Sequence, residues 1–392
     1  MSISRIAARI GESVTLKLNA TVAALKAKGE PVIHLGGGEP ESKAPVDAIR
    51  AGSALLETGE VRYTAASGTP ALKQAIIGYT EKHYGRTVEP QNVMASGGAK
   101  QAIMVALQTV IDPHDEVIFP KPYWVSYPDM ARLCDGEPVP VEASDGSLRP
   151  SVDDIALKVT PKTKVILINS PNNPSGVMYS EDFIAGVVGL CEQRGIYLIM
   201  DDIYHRLIFD GRQPVNCYDY AKQTGEDSRL IVVNGVSKQY AMTGFRIGWA
   251  IAAKQLIKVM GNIQGHQTSG PSALSQQAAV GALTGDQSSV EALRTTLENN
   301  REVLLDRLKS IEGIKVTKPD GTFYSFVDFR RYERDSVKLA EYLLDEVRVV
   351  TVPGIAFGMD GFLRISFCGA ESDIREGVER IRPALVRYPA RQ

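Results

Sequence analysis

The chain has 392 residues, 44% of them hydrophobic and 23% charged. That is the composition of an ordinary globular protein, long enough for roughly two or three domains and for a large core without disulfide staples. Lys plus Arg number 44 and Asp plus Glu 46, a formal net charge of -2, so nothing draws the chain as a whole to nucleic acid or to an anionic membrane, and any anion site must be local.

The elements read in chain order. The first forty or so residues are poor in strand pattern and are expected to pack with the C-terminal part. Residues 71–84 have helical periodicity after Gly68-Thr69-Pro70, and 99–110 form an apolar helix opening right after Gly97-Gly98. Residues 116–119 read as a short buried strand. Residues 164–169 (KVILIN) read as another, ending at Ser170-Pro171-Asn172-Asn173-Pro174. A helix starts at Ser180 and stops at Gly195. Strands follow at 196–200 (IYLIM), ending at Asp201-Asp202, at 230–234 (LIVVN), ending at Gly235-Val236-Ser237-Lys238, and at 247–252. From about residue 290 the pattern changes to a long polar helix toward 310, strands near 314–316 and 323–327, a helix over 336–346, strands near 349 and 363–367, and a last helix from 372. The expected fold is α/β: a mostly parallel doubly wound sheet in a large domain, residues 46–290, beside a smaller α+β domain made of 1–45 plus 291–392.

Several chemistries are excluded by spacing. The four cysteines are scattered with no C-x-x-C, and the five histidines show no H-x-x-x-H or H-E-x-x-H pattern, which argues against a disulfide framework and against zinc. Gly36-Gly37-Gly38 fails the dinucleotide fingerprint, and no phosphate-binding G-x-x-x-x-G-K-[ST] loop is present. No run of 18 apolar residues and no signal-type segment occur, so a soluble cytoplasmic protein is the expectation. Open parallel sheets bind ligands beyond the carboxyl ends of their strands, and the polar clusters of this chain stand there.

One segment carries distinctive chemistry: Gly235-Val236-Ser237-Lys238-Gln239-Tyr240-Ala241-Met242-Thr243-Gly244-Phe245-Arg246-Ile247-Gly248. A lysine just past a buried strand, among small residues, can be desolvated, which favours the neutral amine that a Schiff base requires. Arg246, eight residues on, sits in a Gly-containing turn where its planar fork could hold a phosphate. The pattern resembles the lysine signature of class I pyridoxal-phosphate aminotransferases. Seven further pieces resemble the same family, that of the aspartate aminotransferases (fold type I), in its order: LGGGEP at 35–40, YTAASGTP at 63–70, SGGAKQA at 96–102, PYWVSYP at 122–128, SPNNPSG at 170–176, DDIYH at 201–205 and LRISF at 363–367. The likeness spans nearly the whole chain.

The resemblance implies pyridoxal 5'-phosphate as cofactor and a role for each matching residue. Lys238 forms the Schiff base and later moves the substrate's α-proton. Asp201, three residues before Tyr204, holds the cofactor's ring nitrogen protonated; Tyr204 and Asn173 bind its phenolic oxygen. Gly98, Ala99 and Lys100, at a helix start, cradle the phosphate with Arg246. Trp124 stacks on the ring. Arg364 binds the substrate α-carboxylate beside Gly38, with Trp124 and Asn173 also against the substrate. Tyr63 reaches the phosphate of a neighbouring subunit, which implies a homodimer with shared sites. Read without the family, Asn173 is a turn residue, Asp201 a helix cap and Trp124 a core residue. The implied reaction is a ping-pong amino transfer between an L-amino acid and a 2-oxo acid, 2-oxoglutarate as acceptor. A carbon–sulfur β-lyase on the same fold is the alternative. A pyridoxal-phosphate sensor fused to a DNA-binding module has no room before residue 34. Residues 264–291 contain no Lys or Arg, His266 being their one potential cation, and the GESVT stretch at 11–15 has no basic residue. The expectation is therefore a modest preference for aspartate or glutamate, with activity on aromatic and other neutral amino acids.

Overall fold

The computed structural model describes residues 3–12 and 14–388. A seven-stranded sheet lies at its centre. Across the sheet the strands run Val93–Ser96, Gly248–Ile251, Leu230–Gly235, Tyr197–Asp201, Thr163–Asn169, Glu116–Pro120 and Glu137–Val141. The last five are mutually parallel. Gly248–Ile251 runs against both of its neighbours, so Val93–Ser96 points the same way as the five. The inner strands are buried on both faces, which is why they read as continuous apolar runs rather than alternating ones.

The two outermost strands are the ones that the apolar runs did not disclose. Val93–Ser96 is only four residues long, and Glu137–Val141 carries Pro138 and Pro140, residues that lack a ladder donor and are confined to edges. The expected helices are present with clear stops. Pro70–Tyr84 is capped by Thr69, whose side chain accepts from the Leu72 amide, and ends at Gly85 with φ 60°. Glu181–Arg194 is capped by Ser180 and ends at Gly195 with φ 66°; a left-handed residue there suits glycine.

The C-terminal part forms a separate four-stranded antiparallel sheet in the order Val352–Pro353, Phe362–Ser366, Tyr324–Asp328, Lys315–Val316, flanked by the helices Ser288–Leu308, Ser336–Val347 and Glu371–Arg387. Ile33–His34 pairs in parallel with Val349–Val350, and Val22 and Val32 bury against Val350. The N-terminal segment thus packs with the C-terminal module. The carboxyl ends of the large sheet's strands face this second module, and the polar residues gather in the space between. Among the described residues, no helix is long and apolar enough to cross a membrane, and no cluster of His, Cys, Asp and Glu could hold a metal ion.

Candidate active site

The floor of the site is the register of two parallel strands. Asn169 and Asp201 are the last residues of their strands and lie side by side in the pairing. The Asn169 amide donates to the Asp201 carbonyl at 2.8 Å, and its Oδ1 accepts from the backbone N–H of Asn173 at 2.8 Å. One buried amide therefore fixes the Ser170–Pro174 loop against the aspartate. Asp201 is 4% exposed. Its carboxylate accepts from the Tyr127 hydroxyl at 2.7 Å and from the Ile203 amide at 3.3 Å. Burial pushes its carboxyl up to about 6, against the opposing pull of those two donors and of Lys238. No cation is hydrogen-bonded to it among the described residues. Successive residues of a strand point to opposite faces, so Asp202 turns away from the cavity and accepts from the Tyr84 hydroxyl at 3.0 Å in a separate buried network. Asp201, nominated for its place three residues before Tyr204, is the one that lines the cavity.

Lys238 follows the strand Leu230–Gly235. Its ammonium donates to the Gly38 carbonyl at 2.6 Å, and burial lowers its pKa to about 8. The helix Ala99–Val110 begins with Gly98 as its cap at φ 98°, leaving amide N–H groups free at a positive dipole end. Arg246 faces that end from an αL backbone, φ 56°, rare for a branched-out side chain of this size. Its guanidinium donates to the carbonyls of Thr243 at 3.0 Å and Gly97 at 3.3 Å, and no carboxylate pairs with it among the described residues. A Cβ at Gly98 would lie 2.5 Å from Arg246 Nη2, and one at Gly248 would lie 2.3 Å from the Ala99 nitrogen. The cradle exists because both positions lack a side chain.

Arg364 stands in the middle of a central strand of the small sheet, flanked by Phe326 and Val352, and is 2% exposed. Its Nη1 donates to Asn173 Oδ1 and its Nη2 to the Gly36 carbonyl, both at 3.0 Å, while Nε has no partner. A buried guanidinium held by two neutral acceptors lacks the anion that would normally accompany it. Trp124 is half-buried, and the Lys100 ammonium lies 4.8 Å from its ring centre. Tyr204 is buried, its hydroxyl 3.5 Å from that of Tyr324.

These side chains line one cavity of about 490 Å³. It gathers Gly38, Ala99, Lys100, Trp124, Asn173, Asp201, Tyr204, Lys238, Arg246 and Arg364, with Gly98 immediately behind Arg246. Tyr63 is the nominated residue that lies away from the cavity; it is 96% exposed. His266 is exposed on the helix Lys254–Gln267 and also lies outside the cavity. Within GESVT, Ser13 lies outside the described residues. Reading the sequence missed Asn169, Tyr127 and Tyr324. Lys100 stands at the helix start, as read, and its side chain runs to Trp124. Tyr127 sits inside the PYWVSYP motif and Asn169 ends KVILIN, so both were adjacent to recognised signals.

Pyridoxal phosphate fits this donor set. Its phosphate matches the glycine-walled cradle beside an arginine that has no carboxylate partner among the described residues, its protonated ring nitrogen is the cation that buried Asp201 lacks, and its carbonyl suits an amine whose pKa is depressed. The sequence profile of the family described as aminotransferase class I and II matches residues 30–381, and the chain belongs to that family. It is a pyridoxal-phosphate-dependent aminotransferase. The aspartate aminotransferase of Rhizobium meliloti (strain 1021) is 38% identical over 98% of this chain and 96% of its own length. The aspartate/prephenate aminotransferase of Nitrosomonas europaea (strain ATCC 19718 / CIP 103999 / KCTC 2705 / NBRC 14298) is 36% identical, over 98% and 100%. Among solved structures, the aspartate aminotransferase of Rhizobium meliloti superposes with a TM-score of 0.93 at 35% identity, over 99% of this chain and 100% of that one. That of Thermotoga maritima gives 0.90 at 35% identity, over 97% and 99%.

Proposed function

We propose that this enzyme takes its amino group from an L-dicarboxylic amino acid, aspartate foremost, and passes it to 2-oxoglutarate, in a homodimer whose active sites are shared between subunits. The observation that carries the substrate reading is the count of cations in one cavity: Lys100, Lys238, Arg246 and Arg364. Arg364, with its neutral partners, is suited to the α-carboxylate that every donor shares. Lys238 supplies the reactive amine and Arg246 the phosphate clamp. Lys100 remains, its ammonium beside Trp124, to meet a second carboxylate. The names of the Rhizobium and Nitrosomonas relatives support the same donor. Lys100 also strengthens the preference beyond the modest one expected from residues 264–291 alone.

Bound pyridoxal phosphate supplies an electron sink for the charge released at the substrate's α-carbon. The chain does the rest. Asp201, buried and held by Tyr127, keeps a proton on the ring nitrogen. Tyr204 and Asn173 donate at the phenolic oxygen. The Ala99 and Lys100 amides, in the turn opened by Gly98, and Arg246 bind the phosphate. Arg364 orients the α-carboxylate by a bidentate pair. Lys238, its amine lowered toward neutrality, takes the proton from the substrate's Cα and returns it as general base and acid. We divide the chain into residues 46–290, carrying the cofactor, and 1–45 plus 291–392, carrying Arg364.

The second subunit is supported by what one subunit leaves bare. Tyr63 is 96% exposed, and Val46, Ile49 and Val61 are exposed apolar residues of the same stretch of sequence; exposed apolar side chains suit burial against a partner. We place the enzyme in the cytoplasm; its four cysteines are free. The test is a panel of amino donors with 2-oxoglutarate, following both products. Aspartate and glutamate should head the panel with parallel lines in double-reciprocal plots. Release of ammonia and pyruvate without an amino acceptor would replace this reading with a lyase.

A further inference from the structure

The cavity holds one buried phenol that the roles above leave unused. Tyr324 opens the strand Tyr324–Asp328 and is 2% exposed. In the small sheet, Phe326 lies opposite Arg364 and Tyr324 opposite Ser366. Tyr324 and Arg364 are therefore diagonal neighbours on one face, a spacing that aromatic side chains bridge. The guanidinium carbon lies 4.2 Å from the Tyr324 ring centre, and the Phe357 ring lies 5.0 Å away. Hydrogen bonds to Asn173 and Gly36 fix the two terminal nitrogens, while the rings restrict the plane of the fork.

The other end of the same side chain reaches the large domain. Its hydroxyl lies 3.5 Å from the Tyr204 hydroxyl, and a Cβ added to Gly38 would come within 3.4 Å of it. Tyr204 has one hydrogen to give. When that hydrogen goes to the cofactor's phenolic oxygen, the Tyr204 oxygen becomes an acceptor, and the Tyr324 O–H is a donor within reach. Two hydroxyls in series polarise one another, so the second strengthens the first as a donor.

We propose that Tyr324 is a positioning residue with two separable functions, aiming Arg364 through its ring and reinforcing Tyr204 through its hydroxyl. The inference rests on the roles proposed above for Arg364 and Tyr204.

The test uses the holoenzyme and two readouts, the pH midpoint of its visible chromophore and the KM for several donors. Donors at the phenolic oxygen favour the form in which that oxygen carries its full negative charge, the deprotonated chromophore. Weakening Tyr204 therefore raises the midpoint. Tyr324→Phe keeps the ring and loses the hydroxyl. It should raise the midpoint by about half a pH unit and leave KM within about twofold. Tyr324→Leu also loses the ring face. It should add a roughly tenfold rise in KM for all donors alike, the size of a desolvated cation–π contact. In the Tyr204→Phe background, Tyr324→Phe should move the midpoint no further, because its acceptor is gone. Tyr204→Phe that leaves the midpoint in place refutes the role given to Tyr204, and this inference with it. A midpoint moved by Tyr204→Phe but not by Tyr324→Phe overturns this inference alone. Unchanged KM in a folded Tyr324→Leu enzyme also overturns it; if that variant does not fold, the near-isosteric Tyr324→Phe still decides.

Discussion

If Lys100 meets the distal carboxylate as proposed, replacing it by alanine should separate the two carboxylates of the substrate. The Lys100 ammonium sits over Trp124 at 4.8 Å and lines the cavity, and burial together with Arg246 holds its pKa below the ordinary lysine value. The Lys100 side chain is nevertheless exposed, so the contact it makes with a distal carboxylate lies nearer an exposed ion pair than a buried one. Discounted for solvent screening, a charged hydrogen bond there contributes about 1–2 kcal/mol, which is roughly a 5- to 30-fold loss in kcat/KM for aspartate. Phenylalanine, tyrosine and alanine have no second carboxylate and should lose less than about threefold. The backbone amide of residue 100 stays in place, so cofactor affinity should hold, and fluorescence or absorbance titration of the apoenzyme checks it. Steady-state kinetics on the donor panel then give the ratio of ratios. An equal loss on aspartate and phenylalanine, or a large fall in cofactor affinity, would refute the assignment and give the Lys100 ammonium to the phosphate instead.

Asp201→Asn should lower kcat by several orders of magnitude with little loss of fold. In the apoenzyme it also changes the pH dependence of stability. The native carboxyl is pushed up to about 6 from 3.8, so the native state binds more protons than the unfolded one between those values, and stability falls as pH rises through that window. Above it the asparagine variant, without cofactor, should be more stable than the parent by up to about 3 kcal/mol, a gain that denaturant melts at pH 4 and pH 7 would reveal by its absence at the lower pH. Lys238 should carry the cofactor, so borohydride reduction followed by peptide mapping places the adduct there, and capture of cofactor by the apoenzyme should quicken as pH rises through about 8, where the amine becomes neutral. Gly98→Ala puts a methyl group 2.5 Å from Arg246 Nη2; cofactor affinity should fall at least tenfold, and equilibrium dialysis would expose an undisturbed cradle. Tyr63→Phe should weaken cofactor retention while sedimentation still reports a dimer, and a fully active monomer would rule out the shared site.

What the sequence determined by itself is local and ordered along the chain. Apolar runs such as KVILIN and LIVVN mark strands covered on both faces, and each is followed at once by its chemistry, Asn173 or Lys238. Glycine at 98 and the small residues before Lys238 could be read as close backbone approach without coordinates. The order of eight short motifs named the cofactor, because each motif is short-range and survives any arrangement of the rest. Tertiary structure alone decided everything that depends on distance across the fold. Arg364 meets Asn173 over 191 positions of sequence, and Lys238 meets Gly38 over 200; no periodicity encodes such contacts. The motif had already nominated Asp201, three residues before Tyr204, but which residue holds it, Tyr127, was decided by the packing of a helix on the sheet. Lys100 shows the difference most directly. Its backbone position was legible as the start of a helix, but a four-carbon side chain can point several ways, and only the folded chain places its ammonium 4.8 Å from the Trp124 ring, in the cavity.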